Sequence, residues 1–183
     1  MRNLFQLTLL LAVLAIPAYK WATPTLIPFS GKAFTVEKLE WFWQQEKEQE
    51  SLKRDIRTAK ETFSHLGCGF DTLPVSTAFA ARENHVSVRL VAAQVVAESS
   101  CNPDAVSDKG AIGLMQVNPK YWPYSRQELR DPARNLQVGT AILASYIRQT
   151  GSVRDGLRHY YGIGSDPSES DAYADKILSM TRR

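Results

Sequence analysis

An apolar stretch from Val86 to about Ser100 constrains the fold more than any other feature of this chain. Val, Leu and Ala dominate it, and they would cover nearly all faces of a helix rather than one stripe. A helix that is apolar all round has to be buried among other elements. Asn102-Pro103 then ends it, because the residue before a proline disfavours the helical conformation. The sequence therefore predicts a domain with a buried helix in its core.

The remainder of the chain after residue 66 also has helical patterns. Asp131 is a typical N-cap with Pro132 at the first helical position, and Ser152 is a second cap. Gly110 belongs to a turn that precedes a short extended or hairpin segment at 111–117. The predicted fold class is mainly α, with that short β-like segment inside a helical domain at 66–183. Its predicted helices span 76–84, 86–100, 131–149, 152–161 and 168–180.

The first 21 residues have the composition of a membrane-targeting segment. Arg2 precedes a mostly apolar run that ends near Ala18, followed by Lys20. This order is typical of a secretory signal peptide, and an uncleaved signal anchor is the alternative. Either one would export the rest of the chain and bring its N-terminus to a membrane. We therefore expect a periplasmic location, with inner-membrane anchoring if the segment is retained.

Two further segments separate this start from the helical domain. Residues 22–35 contain two prolines and a glycine without apolar periodicity, which indicates a linker. Residues 36–65 lack both residue types and are rich in Glu, Gln, Lys and Arg, which favours a charged helix. A solvated connecting helix fits this pattern. A weak seam for a partner helix is the alternative, formed by Leu39, Trp43, Leu52 and Ile56.

Net charge and cysteine content limit the functional classes. A formal charge of +3, with no basic stripe, is too weak to indicate nucleic-acid binding. Cys68 and Cys101 are the only cysteines. Export would allow them to form a disulfide, and two free buried thiols are the alternative. The two cysteines and three histidines lack the close spacing of a zinc site, so no metal is expected.

Glu98 is the candidate acid. On a helix it shares a face with Gln94 and with three apolar residues, Leu90, Val91 and Val95. Burial disfavours the charged form of a carboxyl group and raises its pKa. Such an acid can donate a proton near neutral pH and later act as a base. The alternative is an ordinary carboxylate at the frayed, hydrated end of the helix.

Several residues after Glu98 could complete a site. Gly110 and Gly113 bracket a segment in which glycine would allow close approach of a ligand or another element. Met115 and Gln116 place an apolar side chain beside an amide. Aromatic hydroxyl groups follow at Tyr160, Tyr161 and Tyr173, and such side chains stack on sugars and hydrogen-bond to them.

Taken together, these motifs resemble a known family. The stretch ESSCNPDAVSDKGAIGLMQVNP, at 98–119, is similar to the signature of lytic transglycosylases with the goose-type lysozyme-like (SLT) fold. Asp131-Pro132 with Asn135, Leu136 and Gly139 is similar to a later helix of that family. Tyr160, followed by two glycines, and Tyr173 match its aromatic positions. The resemblance covers about residues 68–180.

The resemblance implies a peptidoglycan lytic transglycosylase without a cofactor. Glu98 would be the single acid and base that cleaves the bond between N-acetylmuramic acid and N-acetylglucosamine and leaves 1,6-anhydro ends. No second carboxylate is an evident partner for it. Ser99 and Gln116 would orient the N-acetyl groups, Met115 would line the groove, and Tyr160 would hydrogen-bond near Glu98. The remaining positions in the implied set are Tyr173 for substrate binding and Gly113, Asn135, Cys68 and Cys101 for structure.

The sequence departs from the family pattern at three positions. Tyr161 stands where the family usually has Asn, His159 replaces Ala, and Cys101 is an unusual neighbour of the acid. A peptidoglycan-binding protein without turnover and a hydrolytic lysozyme on the same fold are therefore the alternatives. The expected partner is the peptidoglycan glycan strand. A secretion, conjugation or pilus machine, or a phage component, could be a further partner.

Overall fold

The computed structural model describes residues 36–69, 72–162 and 164–182. In these ranges the chain forms six α-helices, one 3₁₀ helix at Glu128–Arg130 and no β-strand. The helices are α1 (Val36–His65), α2 (Leu73–Glu83), α3 (Val88–Ser99), α4 (Pro132–Thr150), α5 (Val153–Tyr161) and α6 (Pro167–Thr181). The predicted mainly helical fold is confirmed. The predicted targeting segment at 1–21 and the linker at 22–35 lie outside the described residues.

The all-round apolar helix is α3, and it separates two apolar clusters. Val91 and Val95 contribute to a cluster with α2, α4 and the loop at 112–117. Leu90 and Ala93 contribute to a second cluster, with α5 and α6. Residues one and two positions apart on a helix point in different directions. Two cores on different sides of α3 therefore explain why its sequence lacks a polar stripe.

Capping side chains set the helix starts close to their predicted positions. The carboxylate of Asp131 accepts a hydrogen bond from the backbone N–H of Arg134, 2.6 Å away, with Pro132 following it. Ser152 accepts from the N–H of Asp155, at 3.3 Å. The last helix begins one residue before the predicted start, because Asp166 caps it and Pro167 takes its first position.

The second half of α1 packs into a compact unit formed by residues 48–183. Ala59 and Phe63 are buried in the core of that unit. The guanidinium of Arg82 on α2 donates to Asp55, at 2.7 Å, and to Ser51, at 3.0 Å. Earlier in the same helix, Leu39, Trp41 and Trp43 are exposed. None of the helices within the described ranges has an uncharged apolar stretch long enough to cross a membrane.

The predicted extended segment forms single bridges rather than strands. Ile112 pairs in antiparallel fashion with both Val106 and Val117. A turn connects Val106 to Ile112, and in it the N–H of Gly110 donates to the carbonyl of Ser107 at 2.8 Å. This segment leads the chain from the end of α3 to residues 113–116, which lie next to the candidate site.

Candidate active site

Glu98 lies in the last turn of α3 and is partly buried. Its carboxylate accepts a hydrogen bond from the hydroxyl of Tyr173 on α6. One turn earlier, the fully buried Gln94 donates from Nε2 to the Tyr173 oxygen, at 3.4 Å. These three side chains connect α3 and α6 through polar contacts in an otherwise apolar region.

Burial raises the pKa of Glu98 to about 7, from an ordinary value of 4.5. The hydrogen bond from Tyr173, the charge of Lys176 and Gln94 oppose this shift but do not cancel it. Burial, together with the negative charge of Glu98, also raises the pKa values of Tyr160 and Tyr173 well above their usual range. Both phenols therefore keep their protons, and Glu98 is the group in this cluster that can exchange one near neutral pH.

This pKa shift predicts a pH-dependent stability difference. The folded state holds the Glu98 proton more tightly than the unfolded chain does. The stability that this proton contributes is fully present below pH about 4.5, and it is lost as the pH rises through about 7. Glu98→Gln removes the titration. We expect the unfolding free energy of Glu98→Gln, relative to wild type, to rise by about 3 kcal/mol between pH 4 and pH 8.

Paired urea denaturation curves of the two proteins at several pH values measure this difference. Other titrating groups are common to both proteins and cancel in the subtraction. A difference that stays constant across the range would contradict the raised pKa.

The turn after Glu98 has an unusual backbone conformation. Ser100 and Cys101 are consecutive left-handed residues, with φ of 51° and 65°. Left-handed φ costs a non-glycine residue about 1–2 kcal/mol, so other contacts must hold this turn. Cys101 is buried and forms a disulfide with Cys68, with the two Cα atoms 6.1 Å apart. The bond joins the segment after α1 to the residues that follow Glu98, and it excludes the alternative of two free thiols.

Loss of this disulfide should lower the stability of the domain. The bond closes a loop between residues 33 positions apart. Loop-closure entropy then predicts that the double variant Cys68→Ser, Cys101→Ser loses about 3–4 kcal/mol of unfolding free energy. Chemical denaturation of the double variant and of oxidised and reduced wild type measures the loss. Reduced wild type should match the double variant. Equal stability of all three forms would contradict the prediction.

Asn135 organises the loop that faces α3. This side chain is fully buried on α4. Its Oδ1 accepts from the N–H of Met115 at 2.8 Å, and its Nδ2 donates to the carbonyls of Ile112 and Leu129 at 2.8 and 2.9 Å. Gly113 fits against it: its φ is +77°, and an added Cβ would lie 2.7 Å from Asn135 Cγ. Both residues, predicted to be structural, therefore lie at one contact point.

Met115 lies in the core and does not line an open groove as expected. Its side chain is fully buried against Gly139 of α4, where an added Cβ would lie 2.7 Å from Met115 Cγ. Tyr160 seals the same contact, since its hydroxyl donates to the carbonyl of Met115 at 2.8 Å. Burial of this apolar side chain in the core is favourable, and Gly139 leaves the room for it, which explains why Met115 does not line a groove. Tyr160 still lies close enough to Glu98 to feel its charge.

Ser99 and Gln116, expected to orient N-acetyl groups, both contact backbone carbonyls. The Ser99 hydroxyl lies 3.0 Å from the carbonyl oxygen of Leu114 and 3.1 Å from that of Val95. Gln116 Nε2 donates to Gly113, at 3.0 Å, and to Ala105, at 3.3 Å. The Ser99 bond ties the loop at 113–116 to the end of α3, whereas the Gln116 bonds hold that loop on itself and on Ala105. Both side chains therefore brace the backbone of the segments that follow Glu98.

Two contributors to the site were not predicted from the sequence. Gln94 is the single polar residue that the helix pattern puts on the face of Glu98, and a lone polar side chain on a buried face indicates a hydrogen-bond partner. Lys176 lies one turn after Tyr173 on α6, and its charge lowers the pKa of Glu98. No sequence signal connects positions so far apart in the chain.

Ion pairs connect α5 and α6, the two helices that carry the three tyrosines. Arg158 on α5 lies 3.1 Å from Asp171 on α6 and 3.1 Å from Asp155. Arg154 pairs with Asp175 and, at 3.7 Å, with Asp171. Exposed pairs contribute at most about 1 kcal/mol each, so they add to the apolar packing that already joins the two helices. The described part of the chain contains no group of three or more His, Cys, Asp or Glu side chains that could hold a metal ion.

The sequence matches a known family model and several curated proteins. The family model described as Transglycosylase SLT domain matches residues 76–173, just over half of the chain. The endo-type membrane-bound lytic murein transglycosylase A of Cronobacter sakazakii is 41% identical over 71 residues, covering 32% of this chain and 35% of that protein. The transglycosylase of Enterobacteria phage PRD1 is 36% identical over 103 residues, covering 54% of this chain and 39% of that protein.

A solved structure agrees with these matches at the level of the fold. The lytic transglycosylase Slt of Pseudomonas aeruginosa, an inactive mutant, superposes with a TM-score of 0.50 at 21% identity, covering 58% of this chain and 22% of that one. The chain spans little more than a third of the length of the two curated relatives described above. The family match includes Glu98, the Asn135 contact and all three tyrosines. The chain therefore belongs to the transglycosylase SLT domain family and has its lysozyme-like helical fold.

Proposed function

We propose that this chain is a lytic transglycosylase that cleaves peptidoglycan with Glu98 as its single general acid and base. The observation that carries this proposal is a partly buried carboxyl group with a pKa of about 7, hydrogen-bonded to Tyr173 inside a transglycosylase SLT domain. The relatives named as lytic murein transglycosylases support the same reaction class. The substrate is the β-1,4 bond between N-acetylmuramic acid and N-acetylglucosamine.

The reaction needs two proton transfers at one carboxyl group. Protonated Glu98 first donates to the glycosidic oxygen as its bond to the C1 carbon of N-acetylmuramic acid breaks, with assistance from the substrate's N-acetyl group. The 6-hydroxyl of the same sugar then attacks C1 and gives its proton to the Glu98 carboxylate. This step closes the 1,6-anhydro ring, restores the acid and consumes no water. A pKa near 7 suits both transfers.

The surroundings of Glu98 favour this single-acid scheme over a two-carboxylate one. Most glycosidases place a second carboxylate about 5–10 Å from the acid, as nucleophile or base. In the described part of the chain, the groups that act on the pKa of Glu98 are Tyr173, Lys176 and Gln94, and none is a carboxylate. Asp104, a carboxylate that follows Glu98 closely in the sequence, is exposed and belongs to a turn in which its backbone N–H donates to the side chain of Asn102, at 3.0 Å.

Analysis of digestion products tests the proposal. Purified sacculi are incubated with the protein, and the soluble muropeptides are separated and identified by mass. We expect fragments that end in 1,6-anhydro-N-acetylmuramic acid. Reducing ends would instead show a hydrolytic lysozyme. Saturable binding to sacculi without soluble fragments would show a peptidoglycan-binding protein without turnover.

We further propose that the protein acts from the exported side of a bacterial membrane. The apolar segment near the N-terminus and the membrane-bound relatives support this location. A local wall-opening role would suit a secretion, conjugation or pilus machine, and the phage relative supports a phage component as well. Cell fractionation of the full chain tests the location, and recovery in the cytosolic fraction alone would contradict it.

A further inference from the structure

We propose that Tyr161 is a stacking platform for a sugar ring of the glycan, and that it sets substrate affinity at the edge of the Glu98 site. This inference rests on the proposed function, since it assigns a binding residue to that same site. It concerns a position at which the family pattern usually has Asn and this chain has a much larger aromatic side chain.

The two adjacent tyrosines at the end of α5 face different surroundings. The hydroxyl of Tyr160 reaches the carbonyl of Met115 in the core. Tyr161, one residue later, leaves 43% of its surface exposed. Tyr160 therefore packs inside the domain, whereas the ring of Tyr161 is accessible to a ligand from solvent.

Contacts at both ends hold the Tyr161 ring in place. Its ring centroid lies 5.3 Å from that of Tyr173, with the planes inclined by 40°. Its hydroxyl donates to Glu169 on α6, at 3.0 Å. A ring held in this way loses little conformational freedom when a ligand stacks on it, which favours binding. The hydrogen bond to Glu169 also raises the pKa of Tyr161, so the phenol stays neutral.

The platform is connected to the acid through one side chain. Tyr173 contacts Tyr161 with its ring and donates its hydroxyl to Glu98. Tyr161 and Glu98 therefore share Tyr173 as a common neighbour, and a glycan strand bound with its scissile bond at Glu98 would have a sugar ring within reach of Tyr161. Ion pairs between α5 and α6 also join the two helices that carry the tyrosines.

The chemistry of the ring indicates which part of a sugar it binds. An amide at this position would read polar substituents through hydrogen bonds. An aromatic ring with a polar tip offers a broad apolar surface. The C–H groups on one side of a pyranose ring form a matching apolar face. Recognition here would therefore depend on the sugar ring itself, and less on its N-acetyl or peptide substituents.

Steady-state kinetics of the full chain on soluble, peptide-free glycan strands tests the proposal. Tyr161→Ala should raise KM about five- to tenfold while kcat stays within about twofold, as expected for loss of a stacking contact. Tyr161→Phe keeps the ring and should rescue most of the affinity although it lacks the bond to Glu169. Phe79→Ala, which removes an exposed aromatic ring from α2, is the matched control and should leave both constants unchanged.

Binding in the Glu98→Gln background separates this proposal from the proposed reaction. Calorimetric titration with the same strands should show the five- to tenfold loss for Tyr161→Ala even if wild type releases no product. Unchanged binding and KM would overturn the platform. A fall in kcat alone would also overturn it, because Tyr161 would then only support Tyr173. Thermal unfolding of each variant confirms that the chain is folded.

Discussion

Glu98→Gln should strongly reduce release of soluble muropeptides from sacculi, with turnover lowered by about two to four orders of magnitude. Gln keeps the size and one hydrogen-bond acceptor of the side chain, so the contact with Tyr173 can persist. It cannot donate a proton to a leaving oxygen or accept one from a hydroxyl, and loss of general acid–base catalysis costs about 10²–10⁴-fold. Quantitative muropeptide analysis under identical protein concentrations measures the loss.

Carboxylates elsewhere provide the matched controls. Glu83→Gln changes an exposed side chain at the end of α2 and should leave turnover unchanged. Asp104→Asn and Asp108→Asn should do the same, since no second carboxylate takes part in the proposed reaction. Loss of activity in either Asp variant would indicate a two-carboxylate mechanism. For wild type, kcat/KM should fall as pH rises above about 7, because Glu98 then loses the proton that it donates.

Asn135→Asp should destabilise the domain by about 3–5 kcal/mol at pH 7. The substitution is almost isosteric, and Oδ1 can still accept from Met115. The second oxygen, however, would face the carbonyls of Ile112 and Leu129, to which Nδ2 now donates. Each unsatisfied buried polar group costs about 1–3 kcal/mol, and an unpaired buried charge costs more. Urea denaturation measures the loss against a total stability of about 5–15 kcal/mol, the usual range.

The pH dependence of this variant provides an internal check. At pH 4 the buried Asp can hold a proton and donate it to one carbonyl, so part of the lost stability should return relative to wild type. Gln137→Ala, on the exposed side of the same helix, should change stability by less than about 0.5 kcal/mol. If Asn135→Asp were as mild as this control, the Asn135 contacts would not hold the loop at 112–117.

Local sequence patterns predicted the helices well because their causes are local. The caps at Asp131 and Ser152 and the apolar density of α3 each depend on neighbours within a few residues. The packing of Ala59 and Phe63 into the core had no such signal. Charged residues surround both on α1, and a stripe of two apolar positions is too short to distinguish a packed helix end from a solvated one.

The sequence indicates which residues belong to the candidate site better than it indicates which of them contact each other. Burial of α3 was enough to predict a raised pKa for Glu98. The partner of that carboxyl group, Tyr173, lies 75 positions away, and its hydrogen bond depends on how α6 packs. The burial of Met115 likewise depends on a distant contact. An apolar side chain fits the wall of a groove as well as a core, and the space that Met115 fills exists because Gly139 on α4 has no side chain.

The bond between Cys68 and Cys101 also changes what a single cut in the chain can do. Residues 69–100 lie between the two half-cystines, so they form a covalently closed loop that includes α2, α3 and Glu98. A protease that hydrolyses one peptide bond in this loop leaves both fragments attached to each other. The nicked protein would therefore run as one species on a denaturing gel until a reductant separates the fragments.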